Sequence, residues 1–206
     1  MATLTVVGRA HVSVPPDEAS VAISVESVRP GASEALDDVA ERARTVIALL
    51  DELGVGPPAR TTTGVMVSEA GEHVDGTWQH RGYRASERLT VRLDDAEKVG
   101  RLLGEAVERA ESRIDGPWWR VSPTNPGRAE ALGAAAGDAR RRAEALAAGL
   151  GMRLGALVEA VEAGATIPEP RFTPGLQAMA VADVPVEPGE ATVEASVSVK
   201  FQLERQ

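Results

Sequence analysis

Three histidines, no cysteine and no Gly-x-Ser-x-Gly elbow narrow the chemistry open to this chain. His73 and His80, with Glu69, Glu72 or Asp75 nearby, offer nitrogen and oxygen donors to a divalent cation. The spacing matches no closed structural metal site, so exposed loop residues are the competing reading. Without cysteine there is no thiolate nucleophile, disulfide or sulfur-ligated metal. No histidine and acid are spaced to activate one of the many serines. No catalytic or cofactor-binding residue is nominated, and His73 and His80 are the only candidates for metal.

Other strings resemble sites less well. Gly149-Leu150-Gly151 evokes a dinucleotide loop, but it follows a helical pattern instead of opening one, so helix amides would not meet a pyrophosphate. It reads as a helix stop. Arg140, Arg141 and Arg142 project about 100° apart around a helix and cannot converge on one phosphate. The net charge of -9 opposes nonspecific binding to nucleic acid. Trp118 and Trp119 are adjacent on a strand pattern and must face opposite sides, one toward the core and the other toward a partner or a covering element.

The elements that would position these residues follow from periodicity. Residues 3–14 alternate, with Gly8 and Ala10 as small residues that imply a bend or a close neighbour. After Pro15-Pro16-Asp17, residues 19–25 alternate again and are expected to pair with the first strand as a hairpin. A helix follows from Ser33 as N-cap to a stop at Gly54. Two strands then hold Val65 and Val67 in the first and Tyr83 to Leu93 in the second, where Glu87 breaks the apolar parity and suggests an edge. The segment 69–80 between them is a polar hairpin.

A second helix begins after Asp94 or Asp95, with Val99, Leu102, Leu103, Ala106 and Ala110 inward. Residues 114–121 form a short strand. Asn125 and Pro126 suit the cap and first turn of a third helix, whose expected inner stripe is Leu132, Ala136, Ala139, Ala143, Leu146 and Leu150. Strands are expected at 154–161 and from Thr192 to Leu203. Residues 164–190 hold five of the 13 prolines and form a long loop or arm before the last strand. The expected class is α+β, a largely antiparallel sheet packed by about three amphipathic helices, in a single domain over 1–206.

Several segments, in order, are similar to the SIMPL domain (DUF541) family. They include Gly8 with Pro16-Asp17 and Ala19, Leu53-Gly54, Thr61-Thr62 and Gly82-Tyr83-Arg84-Ala85-Ser86. Val99-Gly100, the run Ala139 to Ala147, Leu154-Gly155 and Pro188-Gly189 continue the series. The resemblance implies an α+β domain without established catalytic residues. It also implies a capacity, in some members, for ring-like or channel-like homo-oligomers, and a link to oxidative-stress defence. Many members begin with a secretion signal, whereas Met1 to Val7 lack a basic start and a long apolar run, so a cytoplasmic setting is expected.

The expected function is therefore noncatalytic, exercised through homo-oligomeric assembly or binding of an unidentified protein, with no nucleic acid, no transmembrane segment and no cofactor. Exposed strand edges, Trp118, Trp119, and Phe172, Leu176, Met179 and Val181 in the proline-rich arm are the candidate contacts. The alternative is a small-ligand or metal-binding protein using the 69–80 hairpin.

Overall fold

Alternating β-branched runs and helical stripes become seven strands and three α-helices among residues 2–162 and 185–205, which the computed structural model describes. The strands are β1 (Ala2–Val14), β2 (Glu18–Arg29), β3 (Arg60–Val74), β4 (Thr77–Leu93), β5 (Arg113–Arg120), β6 (Met152–Glu162) and β7 (Ala191–Arg205). The helices are α1 (Ala32–Glu52), α2 (Ala96–Ala110) and α3 (Pro126–Gly149). This is the expected α+β class, with the strands divided between two sheets, β1-β7-β6 and β3-β4-β2-β5. The described residues fall into two compact units.

The unit of residues 18–119 and 185–188 is built on the second sheet. β2 and β4 pair antiparallel from Ala19 opposite Leu93 to Arg29 opposite Tyr83, so Val21, Ile23 and Val25 share a face with Ala85, Leu89 and Val91. Helix α1 covers that face with Ala35, Val39, Ala43, Val46, Leu49 and Leu50, and α2 adds Val99, Leu102, Ala106 and Ala110. Each fully buried Val, Leu or Ile here contributes about 1.5–3 kcal/mol. Asp95 caps α2 by accepting the Glu97 amide at 2.8 Å. Helix α1 starts earlier than expected, with extended Gly31 as its cap and the Glu34 carboxylate taking the Gly31 N–H at 3.4 Å. Ser33 lies inside the first turn. Glu87 is not at an edge, since β4 has β3 on one side and β2 on the other.

In the unit of residues 2–17, 120–162 and 189–205, α3 lies on the first sheet. The expected β1–β2 hairpin does not form. β1 pairs antiparallel with β7 from Ala2 opposite Leu203 to Val14 opposite Ala191, and β2 belongs to the other sheet. Pro15-Pro16 supplies neither the positive φ values of a tight hairpin turn nor backbone donors. Instead Asp17 anchors the exit: its amide bonds the Arg120 carbonyl at 3.3 Å, and its carboxylate takes the Ser122 amide at 2.7 Å and hydroxyl at 2.8 Å. Partial burial pushes the Asp17 carboxyl up, but hydrogen bonds from Ser122 and Asn125 outweigh it and hold it below its ordinary value. Asn125 caps α3 by accepting the Gly127 amide at 2.9 Å, with Pro126 following, as expected.

The buried stripe of α3 differs from the expected one. Gly127, Ala131, Ala135, Ala139, Ala143 and Ala147 face the sheet, whereas Leu146 and Leu150 are exposed and Ala136 points to solvent. Only Ala139 and Ala143 belong to both stripes, with Leu132 packed at the margin. Small side chains at every fourth position let the helix come close to β1. A Cβ added to Gly8 would lie 2.5 Å from the Ala139 nitrogen and 2.7 Å from the Ala139 Cβ, and nearer still to the Ala135 carbonyl oxygen. The close neighbour implied by Gly8 is thus the backbone of α3, and leucines on the inner face would hold the helix away.

Candidate interaction edges

An open sheet ends in strands whose outer N–H and C=O groups lack a ladder partner and can template another strand. The outer strands are β1 and β6 in one sheet and β3 and β5 in the other. Along an extended strand, residues two apart turn their backbone groups to the same side. On β1 that side is occupied. The Arg9 N–H donates to Asp138 Oδ2 at 3.0 Å, and an Arg142 guanidinium nitrogen donates to the Val7 carbonyl at 2.9 Å. Asp138 and Arg142, one turn apart on α3, also pair with each other at 3.6 Å. Carboxylate and guanidinium stand where the C=O and N–H of a neighbouring strand would stand.

β3 is the opposite case. Its 15 residues are exposed along almost their whole length. Residues 61–68 hold no charged side chain, and Val65, Met66 and Val67 are 56%, 59% and 42% exposed. The Thr62 and Thr63 hydroxyls turn toward β4, to the Glu87 carboxylate at 3.3 Å and the Arg88 carbonyl at 3.2 Å. Among the described residues no side chain bonds the outer backbone groups of 61–74. The usual protections of an edge, inward charges, proline or a covering side chain, are therefore missing from its centre. What it has is a register shift between Thr62 and Gly64 and another between Ala70 and Gly71.

Beyond the last β2–β4 pair, β3 and β4 continue as a two-stranded ribbon. The hairpin expected at 69–80 is strand almost to its tip, where Asp75 and Gly76 have φ values of 50° and 79°, the left-handed pair of a two-residue turn. His73 stands opposite Trp78 and His80 opposite Gly71, so both imidazoles share one face of the ribbon. They are engaged separately. His73 meets the Trp78 ring edge-on at 5.2 Å between centroids, and His80 meets Tyr83 likewise at 5.3 Å. Trp78 lies over Gly71, whose added Cβ would be 2.5 Å from the indole. On the ribbon, Arg81 donates twice to Glu72, from Nε at 2.9 Å and from a terminal nitrogen at 2.5 Å. No group of three potential metal-ligating side chains occurs among the described residues.

The profile of the SIMPL family, described as a protein of unknown function (DUF541), matches residues 4–201. This chain belongs to the SIMPL family. Two curated relatives, the 26 kDa periplasmic immunogenic proteins of Brucella melitensis and Brucella abortus, are each 27% identical to the SIMPL chain over 98% of its length and 85% of theirs. A crystal structure of an unknown protein from Galdieria sulphuraria aligns with 89% of the SIMPL chain and 82% of its own at 15% identity, with a TM-score of 0.26 that carries no argument about the fold. The relatives' names place those proteins in the periplasm, which gives no support to the cytoplasmic setting expected from the first residues. Among the described residues of the SIMPL chain, no helix is long and apolar enough to cross a membrane.

Of the candidate contacts, Trp119 is buried in the core and Trp118 exposed, the split that their adjacency required. Phe172, Leu176, Met179 and Val181 lie outside the described residues. Sequence reasoning missed the Asp138–Arg142 cover, because the two residues sit in a charged run indistinguishable from a solvated helix face. The β3 centre left a fainter trace, an uncharged run with Val65, Met66 and Val67 in succession, which departs from the strict alternation of a strand with one solvated face.

Proposed function

We propose that this SIMPL chain works without catalysis, by homo-oligomeric assembly in which the β3 edge of one copy takes up a strand of a second copy. One observation carries the reading: the centre of β3 is uncharged and apolar on an edge that no side chain among the described residues covers, while the middle of the β1 edge is shielded by α3. A second copy is taken as occupant because residues 61–68 are self-complementary and uncharged, so two chains of net charge -9 can meet there without setting carboxylates of that stretch against each other. Pairing about Met66 sets Val65 of each copy against Val67 of the other, on one face of a continuous sheet. The family profile runs through both compact units, which supports reading them as one SIMPL-like domain.

Light scattering and sedimentation velocity test the proposal. The full chain should give a multiple of 21.6 kDa, and a Val65→Lys, Val67→Lys variant the monomer mass. An unchanged mass in the variant, or a monomeric wild-type chain at every concentration, overturns it. Deleting residues 166–187 in the same series separates an assembly arm containing Phe172, Leu176, Met179 and Val181 from the β3 edge, because an unchanged mass removes the arm as a contact. The link to oxidative-stress defence is part of the same proposal. A deletion strain complemented with the lysine variant should lose peroxide tolerance together with assembly, and retained tolerance uncouples the two.

A further inference from the structure

We propose that Asp138 and Arg142 form a strand mimic that seals β1 against strand addition, and that this seal, resting on the β3 reading above, keeps β1 out of the association made at the β3 edge. Four observations carry the seal. Val7 and Arg9, two residues apart, present an acceptor and a donor to the outer side of β1, and both are taken by α3 side chains, at 2.9 and 3.0 Å. The two side chains are one helical turn apart and pair with each other at 3.6 Å, so each holds the other over the edge. Arg141 adds a second guanidinium to Asp138 at 3.7 Å. Gly8, between the two bonded residues, has no side chain that would lift the helix away, and any Cβ there would strike the α3 backbone.

These contacts do more than pair charges on a surface. A solvated Asp–Arg pair one turn apart needs no backbone partner, yet here each member spends a polar atom on an edge group that water would otherwise satisfy. The ladder is thereby closed in the middle of the strand, where an incoming chain would begin to pair. When the seal is opened in a purified sample, the strand available to β1 is that of a second copy.

The test uses the full chain in the background Val65→Lys, Val67→Lys, to which Asp138→Ala and Arg142→Ala are added. Removal of the seal should speed exchange of the Arg9 amide by about tenfold or more, and should raise the sedimenting mass with protein concentration. An Asp138→Asn, Arg142→Gln variant keeps an acceptor and a donor in place without the ion pair, and should stay closed. An opened variant with a freed Arg9 amide and an unchanged mass overturns the proposal, and so does an Arg9 amide that exchanges at the wild-type rate. If the lysine background alone keeps the wild-type mass, the β3 reading falls, and the seal is judged against that mass: a further rise supports it and no rise overturns it. Circular dichroism of each variant separates association from misfolding.

Discussion

Replacing Gly8 by alanine should be among the most damaging single-methyl changes available to this chain. The new Cβ would stand 2.5 Å from the Ala139 nitrogen and 2.7 Å from its Cβ, and closer to the Ala135 carbonyl oxygen. Comfortable separation is about 3.5 Å, so α3 must retreat by roughly 1 Å, and a gap of that size forfeits a quarter to a half of each contact it opens. Overpacking alone costs about 1–3 kcal/mol, and the upper end applies because two of the three obstacles are backbone atoms that no rotamer change can move. The retreat also stretches the Asp138–Arg9 and Arg142–Val7 bonds, each worth about 1 kcal/mol. A loss of about 3 kcal/mol or more follows, which is ~6–12 °C in Tm for a chain of this size. Urea denaturation and calorimetry measure it, and exchange of the Arg9 amide locates it. Adding Ala139→Gly removes only the side-chain obstacle, so it should restore less than about 1 kcal/mol. A Gly8→Ala protein within about 0.5 kcal/mol of wild type, with the Arg9 amide still protected, would refute the close approach of α3 to β1.

Gly133→Ala should have the opposite sign. It adds a methyl group into open space on α3 and removes unfolded-chain freedom, for a gain of about 0.5–1 kcal/mol in thermal or urea unfolding. Asp17→Ala should cost about 1–2 kcal/mol, because the Ser122 amide and hydroxyl lose a charged acceptor. The folded Asp17 carboxyl titrates below its unfolded value of about 3.9, so its contribution is complete above that pH and lost as pH falls through the folded value. Stability curves of wild type and Asp17→Asn should therefore converge on acidification below about pH 4, and parallel curves would exclude the linkage. Trp78→Ala should uncover Gly71 and fray the ribbon, with faster amide exchange confined to residues 70–81 and global stability nearly unchanged. Slowed or unchanged exchange there would show that the indole does not pin the hairpin.

Much of the fold was legible because its signals are local. The Asp95 and Asn125 caps, the alternation of β7 and the glycine stop after α3 depend on neighbours in sequence. The misreadings arose where a local signal met a distant partner. Residues 3–14 and 19–25 both read as strands, but their pairing depended on Ser122, which holds Asp17 from 105 residues away, and on β7 near the other end of the chain. The leucines of α3 point to an inner stripe through Leu132, Leu146 and Leu150, because burial usually follows size. Gly8 reverses that rule locally: a sheet position without a Cβ selects alanine opposite, and the leucines are displaced to solvent.

The same contact links core packing to the choice of edge. Close packing of an all-alanine stripe on Gly8 places α3 near enough to β1 for Asp138 and Arg142 to reach past its outer groups. A larger inner stripe would bury more apolar area per residue, but it would hold the helix farther out and leave Val7 and Arg9 uncovered. Modest burial on α3 therefore accompanies a closed edge on β1. In the other sheet, α1 and α2 pack mainly over β2 and β4, and among the described residues no helical side chain bonds the backbone at the centre of β3. The two edges differ because α3 lies against the edge strand β1, at a distance set by residue size at a few positions, whereas α1 and α2 lie mainly over the inner strands β2 and β4. Transplanting a charged pair beside β3 would not close it unless a helix backbone were also brought within reach.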